Sequence, residues 1–78
     1  MIYDKAEVTE NSIITNRFWR EPNDTIDTLK WLLEGMNYTI NDGIVTIRDN
    51  ELLSGEWQVI IDYTDDKVKL YRINNQLN

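Results

Sequence analysis

Apolar positions recur with a helical period in one stretch and with a period of two in most of the rest, so the chain reads as one helix among strands. Ile26, Leu29, Leu33 and Met36 fall at i, i+3, i+7 and i+10, with Leu32 beside them, and form one apolar stripe. Asn23 or Asp24 supplies a capping oxygen, Asp27 sits in the first turn and Gly35 lies near the end, which predicts a helix over 24–36. The stripe is its expected core face.

Beyond the helix the alternation predicts strands over 37–74. Asp42-Gly43 suits a two-residue type I′ turn, which sets Ile40 opposite Val45 and Tyr38 opposite Ile47. Residues 49–55 form a loop or single helical turn in which Leu52 and Leu53 cover an edge of the core. A second hairpin is expected around Asp65-Asp66, with Tyr63 facing Val68, Ile61 facing Leu70, Val59 facing Arg72, and Asp62 opposing Lys69 on the other face. Trp57, Val59, Ile61 and Tyr63 then point at the helix. The opposite side carries Gln58, Ile60, Tyr71 and Ile73, more apolar than a solvated face requires.

The single proline, Pro22, disfavours helix at Glu21 and closes an ambiguous N-terminal segment, residues 1–20. Residues 1–3 suit a short strand, and the β-branched and aromatic residues of 12–19 favour another over a competing helix across 5–18. The expected architecture is α+β, one amphipathic helix packed on an antiparallel sheet of four to five strands, in the order β-α-β-β-β-β. No repeat, low-complexity tract or linker divides residues 1–78, so one small domain is expected, with the last four residues frayed.

Composition narrows the chemistry. With no cysteine and no histidine, thiol nucleophiles, zinc-thiolate sites, disulfides and the commonest general base are all missing. Gly35, Gly43 and Gly55 are isolated, so no phosphate-cradling glycine loop can be written. Asp62, Asp65 and Asp66 could pair as acid and base, but at a hairpin turn they read as a charged surface. Asp42, Asp49, Asn50 and Glu51 offer oxygen ligands without the ordered calcium-loop spacing, which allows an incidental cation contact and no more. The chain is expected to be no enzyme, with no metal and no cofactor.

Fourteen acidic residues against eight basic ones give a net charge of −6, which repels nucleic acid and attracts basic surfaces. Direct nucleic-acid binding is not expected, although Arg17, Trp19 and Arg20 make one local basic-aromatic cluster; its plainer reading is a boundary segment plugging the core with Phe18 or Trp19. Apolar runs stop at three residues and no basic-then-apolar leader opens the chain, so the expectation is a cytoplasmic protein outside any membrane. Nine asparagines, ten isoleucines and the single alanine Ala6 match translation of an AT-rich genome, such as that of a low-GC bacterium or its phage.

Trp31 falls away from the apolar stripe, and Asp24, Asp27, Trp31 and Glu34 share the opposite helix face at i, i+3, i+7 and i+10. An aromatic among acids suits a contact with a basic protein partner; equally, Trp31 could pack under the N-terminal segment or a neighbouring subunit. The functional expectation is therefore a small acidic protein-binding domain. It would act as a phage- or mobile-element-type inhibitor occupying the nucleic-acid-binding surface of a host protein, in the manner of DNA mimics and anti-CRISPR proteins. Two alternatives stand beside it: a structural protein that forms a homodimer or larger oligomer through Ile60, Tyr71 and Ile73, and an immunity- or antitoxin-like protein.

Overall fold

The computed structural model describes residues 2–16 and 24–73. After a short 3₁₀ turn, Ile2–Asp4, come β1 (Ala6–Val8), β2 (Ser12–Thr15), α1 (Asp24–Leu32), β3 (Asn37–Asn41), β4 (Ile44–Arg48), β5 (Gly55–Asp62) and β6 (Lys67–Arg72). The class is α+β as expected. The sheet, however, has six strands, all antiparallel, in the order β1-β2-β6-β5-β4-β3. The expected β-α-β-β-β-β order therefore lacks one strand, because the N-terminal segment folds back as a hairpin of its own. Thr9 shapes that turn: its Oγ1 accepts from the N–H groups of Asn11 and Ser12 at 3.3 and 3.1 Å, and its N–H donates to the Ser12 carbonyl at 2.8 Å.

Of the strand expected over 12–19, Ser12–Thr15 is present and 17–19 lie outside the described residues, and the described part of 5–18 forms two strands instead of the competing helix. Where a short strand was expected over 1–3, Ile2–Asp4 form the 3₁₀ turn, and Met1 lies outside the described residues. Phe18, Trp19, Arg17, Arg20 and the last four residues lie outside the described residues.

β3 through β6 form a meander joined by local turns, and the N-terminal hairpin then lines β2 against β6. The first turn follows the sequence: Asp42 and Gly43 both have positive φ, 55° and 76°, and Ile40 opposes Val45 while Tyr38 opposes Ile47. The second differs. Its loop spans residues 63–66, and Ile61 pairs with Val68, Val59 with Leu70, Trp57 with Arg72 and Asp62 with Lys67. Asp62 is the reason: its Oδ1 accepts from the N–H groups of Thr64 and Asp65 at 2.9 and 3.0 Å, which holds a wider turn that needs positive φ only at Asp66. The register moves by two residues, an even number, so each remaining strand residue keeps its face. Tyr63 does not: it leaves the strand for the loop and is exposed instead of facing the helix.

The helix ends at Leu32, short of the expected residue 36, because Gly35 turns the chain at φ +81° and the Met36 N–H reaches only to the Leu33 carbonyl. Its core face is also rotated from the expected stripe. Thr28, Leu29, Leu32 and Leu33 are buried, Met36 is half-buried and Ile26 is exposed. This face meets Ile13, Val45, Ile47, Trp57, Val68 and Leu70, the inward residues of four strands. Each fully buried aliphatic side chain there contributes about 1.5–3 kcal/mol from water exclusion. One sheet face is thus covered, and no helix among the described residues covers the other.

Two buried hydroxyls differ in kind. Thr15 Oγ1 accepts from the Val68 N–H at 3.0 Å, extending the β2–β6 pairing past the last strand bond, whereas the Thr28 hydroxyl is buried without a hydrogen-bond partner among the described residues.

Candidate binding surfaces

Three surfaces carry the candidate residues. On the outer face of α1, Asp27 is exposed and Trp31 is half-buried against the core; Glu34, expected on the same helix face, is exposed but lies in the turn past the helix end. Asp24 is the first residue of that helix. The N-terminal segment reaches this face through Lys5, whose Nζ donates to the Trp31 carbonyl at 2.6 Å, lies 3.4 Å from Glu34 Oε1 and stands 5.3 Å from the Trp31 ring centre. Of the two readings of Trp31, a free hot spot or a side chain under the N-terminal segment, the geometry sits between: the ring is partly covered and one acid beside it has a lysine partner.

The second surface is the sheet face opposite the helix. Ile60 is 44% and Tyr71 38% exposed, with half-buried Ile14 and Ile44 on neighbouring strands. Ile73, just past β6, is half-buried, and its N–H donates to the Glu56 carbonyl. Polar groups interrupt this face. Lys69 Nζ contacts Asp62 Oδ2 at 2.9 Å, a diagonal pair one step from the expected direct opposition. That hydrogen bond holds the Asp62 carboxyl below the usual carboxylate range, with the Asp65 and Thr64 N–H groups adding to it and desolvation opposing it. The same contact raises Lys69.

The third was not singled out from the sequence. Tyr3, Val8, Thr9, Glu10, Leu52 and Leu53 line a half-open cleft of ≈ 320 Å³ between the β1–β2 turn and the loop before β5. Leu53 covers the core edge as expected and accepts a hydrogen bond from the Trp57 indole at 3.0 Å, but Leu52 is 68% exposed. Arg72 ties the two sides of the cleft together. Its Nε donates to the Glu10 carbonyl at 2.9 Å, and its two terminal nitrogens donate to the Ser54 and Leu52 carbonyls at 2.8 and 3.0 Å. The guanidinium also stands 4.2 Å from the centre of the Trp57 ring. Gly55 permits this, since a Cβ there would come within 2.8 Å of the guanidinium and its φ is +137°. An arginine at an inward strand position, already visible as Arg72 facing the core side of β5, was the signal that a side-chain-to-backbone clasp had to exist.

Three of the side chains considered for chemistry or cations are occupied locally. Asn50 Oδ1 accepts from the Leu52 and Leu53 N–H groups, Asp49 Oδ2 accepts from the Asn37 side chain, and Asp62 shapes its own turn. Among the described residues no three His, Cys, Asp or Glu side chains are grouped to hold a metal ion, and no helix is long and apolar enough to cross a membrane. Comparisons with protein-family models, curated proteins and solved structures return no match.

Proposed function

We propose that this chain is a small acidic protein-binding domain that occupies a basic surface of a partner, one built to hold nucleic acid, and so acts as an inhibitor of the DNA-mimic or anti-CRISPR kind. One observation carries the reading: among the described residues the acids point outward, while four of the basic side chains are held against the chain and only Lys30 and Arg48 are exposed. Every Asp and Glu whose burial is described is exposed, apart from Asp62. Four basic side chains are instead engaged with the chain itself, Lys5 with Trp31 and Glu34, Lys67 with the Thr15 carbonyl, Lys69 with Asp62, and Arg72 with three carbonyls. Exposed acids therefore outnumber the exposed cations among the described residues, which suits a basic partner surface. Asp24, Asp27 and Trp31 on α1, with Glu34 in the turn after it, remain the candidate contacts, with Lys5 moderating the last two.

Capture of a nucleic-acid-binding protein by the tagged chain, at low and at high salt, tests this. Binding that weakens steeply with salt, and further with Asp27→Lys, is expected. An affinity unchanged by salt would overturn the charge-mimic reading. A second reading, self-assembly through Ile60, Tyr71 and Ile73, is favoured by the exposure of Ile60 and Tyr71 on a sheet face that no described helix covers. A monomeric mass at high micromolar concentration removes it.

A further inference from the structure

We propose that the cleft beneath Tyr3 and Leu52 is an anchor pocket for one large apolar side chain, leucine, phenylalanine or tryptophan in type, carried on a lysine- or arginine-rich segment of the partner protein. The proposal rests on the acidic-binder reading and names where such a partner would lock on. Its walls are apolar where they face solvent: Leu52 is 68% and Tyr3 43% exposed, and Val8 and Leu53 close the floor. Exposed leucine and tyrosine around a concavity are what a partner's side chain buries at the centre of an interface.

The polar atoms nearby point to a protein segment over a metabolite. A small-molecule site needs a few convergent polar groups to orient its ligand. Here the Thr9 hydroxyl is shared among Ser12 Oγ, at 2.7 Å, and two turn N–H groups, and the Glu10 and Leu52 carbonyls are taken by Arg72. The charge on offer is carboxylate: Glu10 lines the cleft, and Glu51, the chain neighbour of Leu52, is exposed. An apolar floor with an acidic wall complements an apolar residue flanked by cations. The shape is also fixed in advance. Arg72 bonds both walls, and Asn50 Oδ1 pins the Leu52 and Leu53 N–H groups at 3.1 and 2.9 Å, so little ordering is left for binding to impose.

The test uses the full chain, labelled with nitrogen-15, and synthetic peptides of four lysines around a central leucine, phenylalanine, tryptophan or alanine, with glutamate-flanked versions as controls. Amide shifts confined to Tyr3, Val8, Thr9, Glu10, Leu52 and Leu53, at least about tenfold weaker binding for the alanine centre, and loss in the glutamate series are expected. Leu52→Asp should abolish these shifts while leaving the remaining spectrum in place, since that side chain is mostly in solvent; Glu10→Lys gives a second, independent loss. Lysine peptides that bind whatever their centre, with shifts on α1, would overturn the pocket and leave the acidic-binder reading standing. Equal binding of both flanking series would overturn the basic partner. Binding of none of the lysine peptides overturns the pocket, and the salt-dependent capture experiment then decides the broader reading separately.

Discussion

Replacing Arg72 by methionine isolates the clasp from the packing. Methionine keeps an unbranched stem against the Trp57 ring but removes the three donors to Glu10, Leu52 and Ser54 and the charge 4.2 Å above the ring. Those carbonyls belong to exposed or surface-edge residues, so water can replace the guanidinium, and each bond is worth its net value of about 1 kcal/mol, not the larger penalty of an orphaned buried group. The ring contact adds about 0.5–1 kcal/mol. The expected loss is therefore roughly 3–4 kcal/mol, a large share of the about 4–12 kcal/mol typical for a chain of this length. Arg72→Lys, which can keep the ring contact and one bond, should lose about 2 kcal/mol. Urea unfolding followed by circular dichroism measures both, and the midpoint should fall in the order wild type, Arg72→Lys, Arg72→Met. A methionine variant within about 0.5 kcal/mol of wild type would refute the clasp, since that is the range of an inconsequential surface substitution.

Three further outcomes follow from particular contacts. Gly55→Ala should destabilise by about 1–3 kcal/mol from its backbone alone, and more because the new methyl displaces the guanidinium; Arg72→Met combined with Gly55→Ala should lose less than the two separately, which a double-mutant cycle in urea reads. Thr15→Val strands the buried Val68 N–H and should cost about 1–3 kcal/mol, whereas Thr28→Val, the same change at a hydroxyl with no partner among the described residues, should be neutral or stabilising by up to about 1 kcal/mol in the same assay. Asp62 is held below its ordinary value of 3.8 by Lys69, so it favours the folded state above that value and loses this contribution as pH falls through the lowered folded value; Lys69, raised above 10.5, loses its share as pH climbs past that range. Carbon-13 titration of the Asp62 carboxyl should show the low midpoint in the native chain and its return toward 3.8 in Lys69→Met.

What the sequence disclosed was local. Asp42-Gly43 dictated a turn whose chemistry admits one register, and the pairs Ile40–Val45 and Tyr38–Ile47 followed. The faces of β5 and β6 survived a misjudged turn because side chains alternate with period two, so an even slip leaves Trp57, Val59 and Ile61 inward. What stayed hidden depends on contacts between distant residues. Nothing near Ile13 says that it will pair with Leu70, and three residues from Ala6 to Val8 are too few for an alternation to register as a strand. The helix face was misjudged for a related reason. Several of its residues are apolar or neutral enough for either side, and the sheet chose Thr28 and Leu32 over Ile26. The cleft draws its walls from residues 3–10 and 52–53, which only the folded chain brings together.

The position of β2 beside β6 has a temporal consequence. Thr15 bonds to Val68, 53 positions further along the chain, so the N-terminal hairpin has no sheet to join until the final strand has been synthesised. At about 5–20 residues per second the segment ahead of α1 waits several seconds beside the ribosome, while the meander from β3 onward is assembled from neighbours as each emerges. Closure of the sheet, and with it the cleft that needs both chain regions, therefore awaits β6: a nascent chain cannot present a finished binding surface before that strand has been made.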